Sequence, residues 1–269
     1  MKKLVILLAC MLMSIVPGFA EDMPLIEWAT RQPTPIPEIT SQPRSDIPST
    51  PETEEIVDSW EEIITAIDDG TARQRYAVGA YKPLDLGQFG TVNMQLAGFG
   101  LDTRADGNGK AATTWIAKEL LSERRRWNPE WNNDKEGTGT IGGWEKCELR
   151  QWMNDVVLPT IPKSIGSRII PVRKEQEFYD IDWNYFGQIT NDYIWIPSYD
   201  EIFGEQSLYD GLFQNQDKKR VKTRGPSAAW WWLRSAGNSY YAGSVYSDGS
   251  YGYNYVDITS GGVVVGFCL

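Results

Sequence analysis

A mixed α+β domain is what the sequence predicts, and three observations carry that expectation. Two stretches place apolar residues at helical spacing, many short apolar runs alternate between glycine or proline boundaries, and long polar loops join them. A chain of 269 residues with 41% hydrophobic and 12% aromatic content can bury a substantial core.

The elements follow in chain order. "MKKLVILLACMLMSIVPGFAED" has a basic start, an apolar run and small residues at Gly18 and Ala20, the pattern of an export signal over 1–20. Leu7 to Cys10 also fits a loose lipoprotein box, but the apolar run continues past Cys10, so cleavage after Ala20 is the expectation. Residues 21–53 carry prolines at 24, 33, 35, 37, 43, 48 and 51 and few large apolar residues. Such a segment reads as an extended or disordered spacer, and 54–269 as the folded domain. "TEEIVDSWEEIITAIDDGT" predicts an amphipathic helix with Ile56, Val57, Trp60, Ile63, Ile64 and Ile67 on one face. "RYAVGAYKPL" and "TVNMQLAGFG" predict antiparallel strands. "WEKCELRQWMNDVVLP" predicts a second helix buried through Leu149, Trp152, Met153, Val156 and Val157 and stopped by Pro159. "SRIIPV", "DYIWIPS", "AAWWWLRSA" and "GGVVVGFCL" supply further short strands.

Composition excludes several functions. Lys and Arg number 26 against 36 Asp and Glu, a formal charge of −10 that repels phosphate backbones, so nucleic acid is not an expected partner. Histidine is absent, which removes Ser-His-Asp and Cys-His catalysis and His-ligated zinc. No segment after the signal is apolar enough to span a bilayer. Cys147 and Cys268 remain after signal removal, as a disulfide or as two buried thiols.

In order along the chain, "GGWEK", "IPSYDEIFG", "WWWLRS" and the closing "GGVVVGFC" resemble a bacterial domain-of-unknown-function family with a C-type-lectin-like fold related to formylglycine-generating enzymes. The resemblance also takes in "SWEEIITAIDDGT", "YKPLDLGQFGTVNMQLAGF" and "DGNGKAATTWIAKELL", nearly all the chain after the spacer. In that family the C-terminal stretch is often the variable region of a protein diversified by a retroelement. The resemblance therefore implies a ligand-binding surface facing a protein or glycan outside the cytoplasm, with no cofactor.

The stretch "GNSYYAGSVYSDGSYGYNYVDITSGG", residues 237–262, fits that implication chemically. Tyrosine offers large amphipathic contact area with few rotatable bonds, and Ser, Gly and Asn offer adaptable hydrogen bonding, as in antibody paratopes. Composition alone fits plain hairpins with tyrosines packed on a sheet equally well. With the resemblance, the expected contacts are Asn238, Ser239, Tyr240, Tyr241, Ser244, Tyr246, Ser250, Tyr251, Tyr253, Asn254, Asp257 and Thr259. Ala242, Val245 and Val256 are expected to point inward.

Other motifs read as structural. "WNPEWNND" inverts the Glu-Pro-Asn order of calcium-dependent lectins and is expected to be an exposed loop. "DTRADGNG" places Arg104 where a calcium loop needs an oxygen, and is expected to be a tight turn. Of Trp230, Trp231 and Trp232 at least one is expected in the core, the others packing or stacking on sugar, and Arg234 is expected to pair with an acidic residue. No metal site and no catalytic constellation emerges. The expected function is exported, non-enzymatic ligand binding; a secreted carboxylate enzyme and a structural envelope domain are the alternatives.

Overall fold

The computed structural model describes residues 54–269 apart from Asn133, Asp134, Ile181, Trp183 and Gln206. The expected signal and spacer lie outside the described residues. Helix α1 spans Trp60–Asp68 and begins where Ser59 and Glu62 form a reciprocal capping box. That cap places Ile56 and Val57 before the helix, correcting the longer helix expected from sequence. Ile56 is buried where Glu55 bridges Tyr81, while Val57 is 90% exposed. A short helix α2, Ala72–Arg75, ends on the first residue of the first expected strand, and pairing begins only at Tyr81.

Strands β1 (Tyr81–Asp85), β2 (Thr91–Phe99) and β3 (Thr113–Ala117) pair antiparallel in succession. The second expected helix is broken into α3 (Gly143–Lys146) and α4 (Glu148–Trp152), with a π-type turn over Met153–Val157. A π turn shifts the periodicity by one residue, which leaves Val156 37% exposed while Met153 and Val157 are buried. Pro159 lies inside a further 3₁₀ turn, Leu158–Thr160, where its missing N–H costs little.

Helix α5 (Lys163–Gly166) precedes a ribbon of β4 (Val172–Tyr179) and β5 (Tyr185–Asp192). The strand expected at "SRIIPV" is thus displaced: only its Val172 is in a strand. After β6 (Ile194–Trp195) come α6 (Tyr199–Ile202), α7 (Asp210–Phe213) and α8 (Asp217–Arg220). The chain ends in β7 (Lys222–Arg224), β8 (Ser227–Ala229), β9 (Trp231–Ala236), β10 (Tyr241–Val245), β11 (Tyr251–Tyr255) and β12 (Gly266–Cys268).

Strand β12 inserts between β3 and β6, closing a five-stranded sheet of order β1-β2-β3-β12-β6. Trp60 packs edge-on against Trp115 at 5.1 Å and near Phe267 at 6.1 Å, tying α1 to that sheet. A separate sheet of order β11-β10-β9 carries the Tyr-rich stretch. The fold is mixed α+β with several antiparallel sheets, as the sequence predicts. Among the described residues no helix is long and apolar enough to cross a membrane.

Candidate functional site

The β9-β10-β11 sheet places its tyrosines by strand alternation. Register pairs Tyr241 with Tyr255, Gly243 with Tyr253 and Val245 with Tyr251, so Tyr241, Tyr251, Tyr253 and Tyr255 share one face. The Tyr241 and Tyr255 rings lie 4.3 Å apart, and Tyr251 and Tyr253 meet edge-on at 4.8 Å. Tyr253 and Tyr255 are 47% and 45% exposed. At the other end of the face Tyr251 is half-buried beneath Tyr199 and Phe203, at 4.5 and 5.4 Å.

The glycines between the tyrosines are where rings lie on the backbone. A Cβ at Gly237 would overlap the Tyr253 ring, which reaches across β10 past Gly243, its partner in the register. On the opposite face a Cβ at Gly252 would overlap the Tyr246 ring. Large flat rings and missing Cβ atoms are thus two halves of one packing arrangement.

Not every expected contact residue is displayed. Ser239 and Ser244 are fully buried, which corrects their assignment: Ser244 accepts a hydrogen bond from Asn254 Nδ2 at 3.0 Å, and the Ser239 carbonyl accepts from the Thr140 N–H. Tyr246 and Asn254 fall on the face opposite Tyr241 and Tyr253, because adjacent strand residues point to opposite sides. Asn238 caps the β9–β10 turn, its Oδ1 accepting from the N–H groups of Tyr240 and Tyr241. Asp248 similarly holds Ser250. Asp257 is half-buried and Thr259 is exposed, while Ala242, Val245 and Val256 are buried as expected. Tyr255 and Trp131 belong to the displayed set and were missed. Trp131 is 53% exposed and meets Tyr240 at 5.8 Å, a contact across a loop that carries no periodic signal.

Two of the four quoted motifs, "IPSYDEIFG" and "WWWLRS", meet elsewhere in a buried ionic cluster, and "GGVVVGFC" reaches it through Cys268. Lys174 Nζ lies 2.5 Å from Asp102 Oδ1, 3.0 Å from Glu201 Oε1 and 2.6 Å from the Tyr209 hydroxyl, with the Trp195 ring centroid 3.4 Å away. Glu201, from "IPSYDEIFG", caps α6 through Ser198 and accepts from Arg234 Nη1, of "WWWLRS", at 2.6 Å. Cys268, from "GGVVVGFC", donates to Asp102 Oδ2 at 3.5 Å. In "GGWEK" the Trp144 Nε1–H donates to Asp192, and the Glu145 N–H to Gln188, docking the β4–β5 ribbon.

Burial alone raises the Glu201 carboxyl, but Arg234 and then Lys174 outweigh it and hold it at about 2. Burial, and then the Asp102 and Glu201 charges, push the Tyr209 phenol well up. Beside the cluster opens a cleft of about 740 Å³, lined by Asp102, Glu175, Gln176, Gln188, Asp200, Glu201 and Arg234 among others. Cys147 and Cys268 are free and buried, and burial raises both thiols, which makes them unreactive.

The remaining sequence motifs resolve simply. Trp231 and Trp232 are fully buried, and Trp230 packs edge-on to Trp232 at 4.7 Å. Asp102 of "DTRADGNG" is a partner of Lys174, while Arg104 pairs with Asp106 in a tight turn. "WNPEWNND" is not wholly an exposed loop: Trp127 and Asn128 are buried, and Asn128 bridges the Gly139 carbonyl and the Glu148 N–H. Among the described residues no group of three or more Cys, Asp or Glu is placed to hold a metal ion.

No curated protein and no solved structure matches the chain. A family model does match, over residues 112–269, which take in the Lys174–Glu201–Arg234 cluster, the β12 strand and the whole tyrosine sheet. The chain belongs to the DUF6273 family, a domain of unknown function.

Proposed function

We propose that this is an exported, non-enzymatic binding protein with a C-type-lectin-like domain, and that the β9-β10-β11 sheet is its recognition face for a protein or glycan. The observation that carries the reading is the set of Tyr253, Tyr255 and the half-buried Tyr241 on one face, with the Tyr253 ring seated over Gly237, where no Cβ lifts it. Rigid aromatic rings beside small polar residues give contact area at low entropic cost. A division of labour supports it further. Glu201 and Arg234, from "IPSYDEIFG" and "WWWLRS", build the buried ionic cluster with Lys174 and Asp102, outside the tyrosine stretch, so that stretch can change without disturbing the cluster. Diversification by a retroelement fits that arrangement, and adenine-rich codons at Tyr253, Asn254 and Tyr255 beside a template repeat are its expected genetic trace.

The enzyme alternative fares worse on the chemistry of its best carboxylates. Glu201 and Asp102 face the large cleft, but each is engaged by buried cations or hydroxyls, and Glu201 stays ionised far below neutral pH, unsuited to general-acid work.

The test is capture from bacterial or host surface extracts by wild type and by the Tyr253→Ala, Tyr255→Ala double variant. Exposed substitutions change stability by about 0.5 kcal/mol or less each, whereas recognition anchors carry about 2 kcal/mol or more. Retained folding with lost capture upholds the proposal. Unfolding of the double variant, or undiminished capture, overturns it.

A further inference from the structure

A second cavity has a different chemistry. About 210 Å³ in volume, it lies between β2, the end of β3 and the α7–α8 segment, and Lys118, Lys218, Lys219 and Lys222 line it with Gln95 and Gln214. Among the described residues no carboxylate lines it, in a chain with a formal charge of −10. None of the four lysines enters an ion pair among the described residues, and Lys118 Nζ has only the Tyr81 ring, 5.2 Å away. Two acids next to lining residues have hydrogen-bond or ion-pair partners of their own. Glu119 accepts from the Asn93 N–H and Nδ2, although its charge still reaches Lys222, and Asp217 pairs with Arg220.

Lys222 is the built part of the site. It is 2% exposed, and its ammonium donates one hydrogen bond, to the Ala117 carbonyl at 2.7 Å, with the Phe213 ring centroid at 5.5 Å. An ammonium has three donors, so two lack an acceptor among the described residues, in a place where unmet donors are costly. Three flexible lysines at the rim and one desolvated lysine within are what a compact oxyanion requires.

We infer that the Lys222 cavity binds a tetrahedral oxyanion, sulfate or phosphate, as the free ion or as an ester on a larger ligand. The inference stands independently of the tyrosine face, although the two are neighbours. The turn at Gly249 packs so tightly on Asp217 that a Cβ there would overlap the Asp217 carbonyl, so the segment bearing Lys218 and Lys219 abuts the tip of the tyrosine hairpin. Burial, only partly offset by Glu119, lowers Lys222 to about 7. A bound anion favours the charged form, so binding takes up a proton near neutrality. The chain has no histidine to mask that uptake, and sulfate keeps its charge over this range.

The test is calorimetric titration of sodium sulfate into the full mature chain at fixed ionic strength, with sodium chloride as control. Wild type is expected to bind saturably, with affinity falling about tenfold between pH 6 and pH 8.5 as Lys222 deprotonates. Lys222→Met is expected to weaken binding by about tenfold or more and to abolish the pH dependence. The exposed pair Lys118→Gln, Lys219→Gln keeps the test decisive if Lys222→Met fails to fold, and is expected to weaken binding severalfold. Parallel titrations with inorganic phosphate and a 6-O-sulfated hexose separate the sources. Tighter binding of the ester than of inorganic sulfate identifies an esterified ligand, and equal binding identifies the free ion. Heat no greater than with chloride, or wild-type affinity in the folded variants, overturns the inference.

Discussion

Lys174 Nζ stands 2.5 Å from Asp102 Oδ1, with the two side chains 0% and 1% exposed, and this pair anchors the β4–β5 ribbon to the loop after β2. Without Asp102, Lys174 and Arg234 would share Glu201 alone, so one buried positive charge is stranded, at a cost of about 3–5 kcal/mol. Asp102→Asn is therefore expected to lower stability by about that amount in urea denaturation. Adding Lys174→Met to Asp102→Asn is expected to cost less than the sum of the two single changes, because the second change removes the stranded charge.

Glu201 gives the cluster a pH signature. Its folded value of about 2 lies below the ordinary 4.5, so its stabilising contribution is complete above pH 4.5 and drains away as pH falls toward 2. Glu201→Gln is expected to be less stable than wild type at pH 6, with the gap narrowing at pH 3. Urea midpoints of both proteins at the two pH values check this, and a constant gap would locate the cost of the change in geometry rather than charge.

Part of this molecule is legible in the sequence because its apolar pattern repeats. The β1–β2 hairpin and the buried face of α1 follow directly from it, and so does the burial of Ala242, Val245 and Val256, although the register puts Val245 on the tyrosine face opposite Tyr251. The ribbon is illegible for a physical reason: β4 and β5 bury Lys174, Gln176, Thr190 and Asp192 and expose Arg173, Glu175 and Ile189, so their inner face is polar and alternation of hydrophobicity vanishes. The site divides the same way. Composition points to the tyrosines, but only strand register puts Tyr246 and Asn254 on the face away from Tyr253, and only ring packing reveals why glycines alternate with them. Lys222 carries no signal at all, because a lone lysine in "KRVKTR" looks like any solvated cation.

Glycine positions separate exposed rings from core rings. At Gly252 an added methyl meets the outer atoms of the Tyr246 ring, which is 42% exposed and free to swing aside. At Gly261 it meets the Trp232 indole, which is fully buried and donates through Nε1 to the Arg125 carbonyl at 2.7 Å. Overpacking a fixed core costs about 1–3 kcal/mol, and loss of a buried hydrogen bond adds about 1 kcal/mol or more. Gly252→Ala is thus expected to cost less than about 1 kcal/mol, and to cost nothing further in a Tyr246→Ala background, where no ring is left to displace. Gly261→Ala is expected to cost about 3 kcal/mol and to perturb the near-ultraviolet circular dichroism of Trp232. Equal losses at the two positions, measured by thermal and urea unfolding, would mean that Tyr246, despite its exposure, is held as rigidly as a core residue.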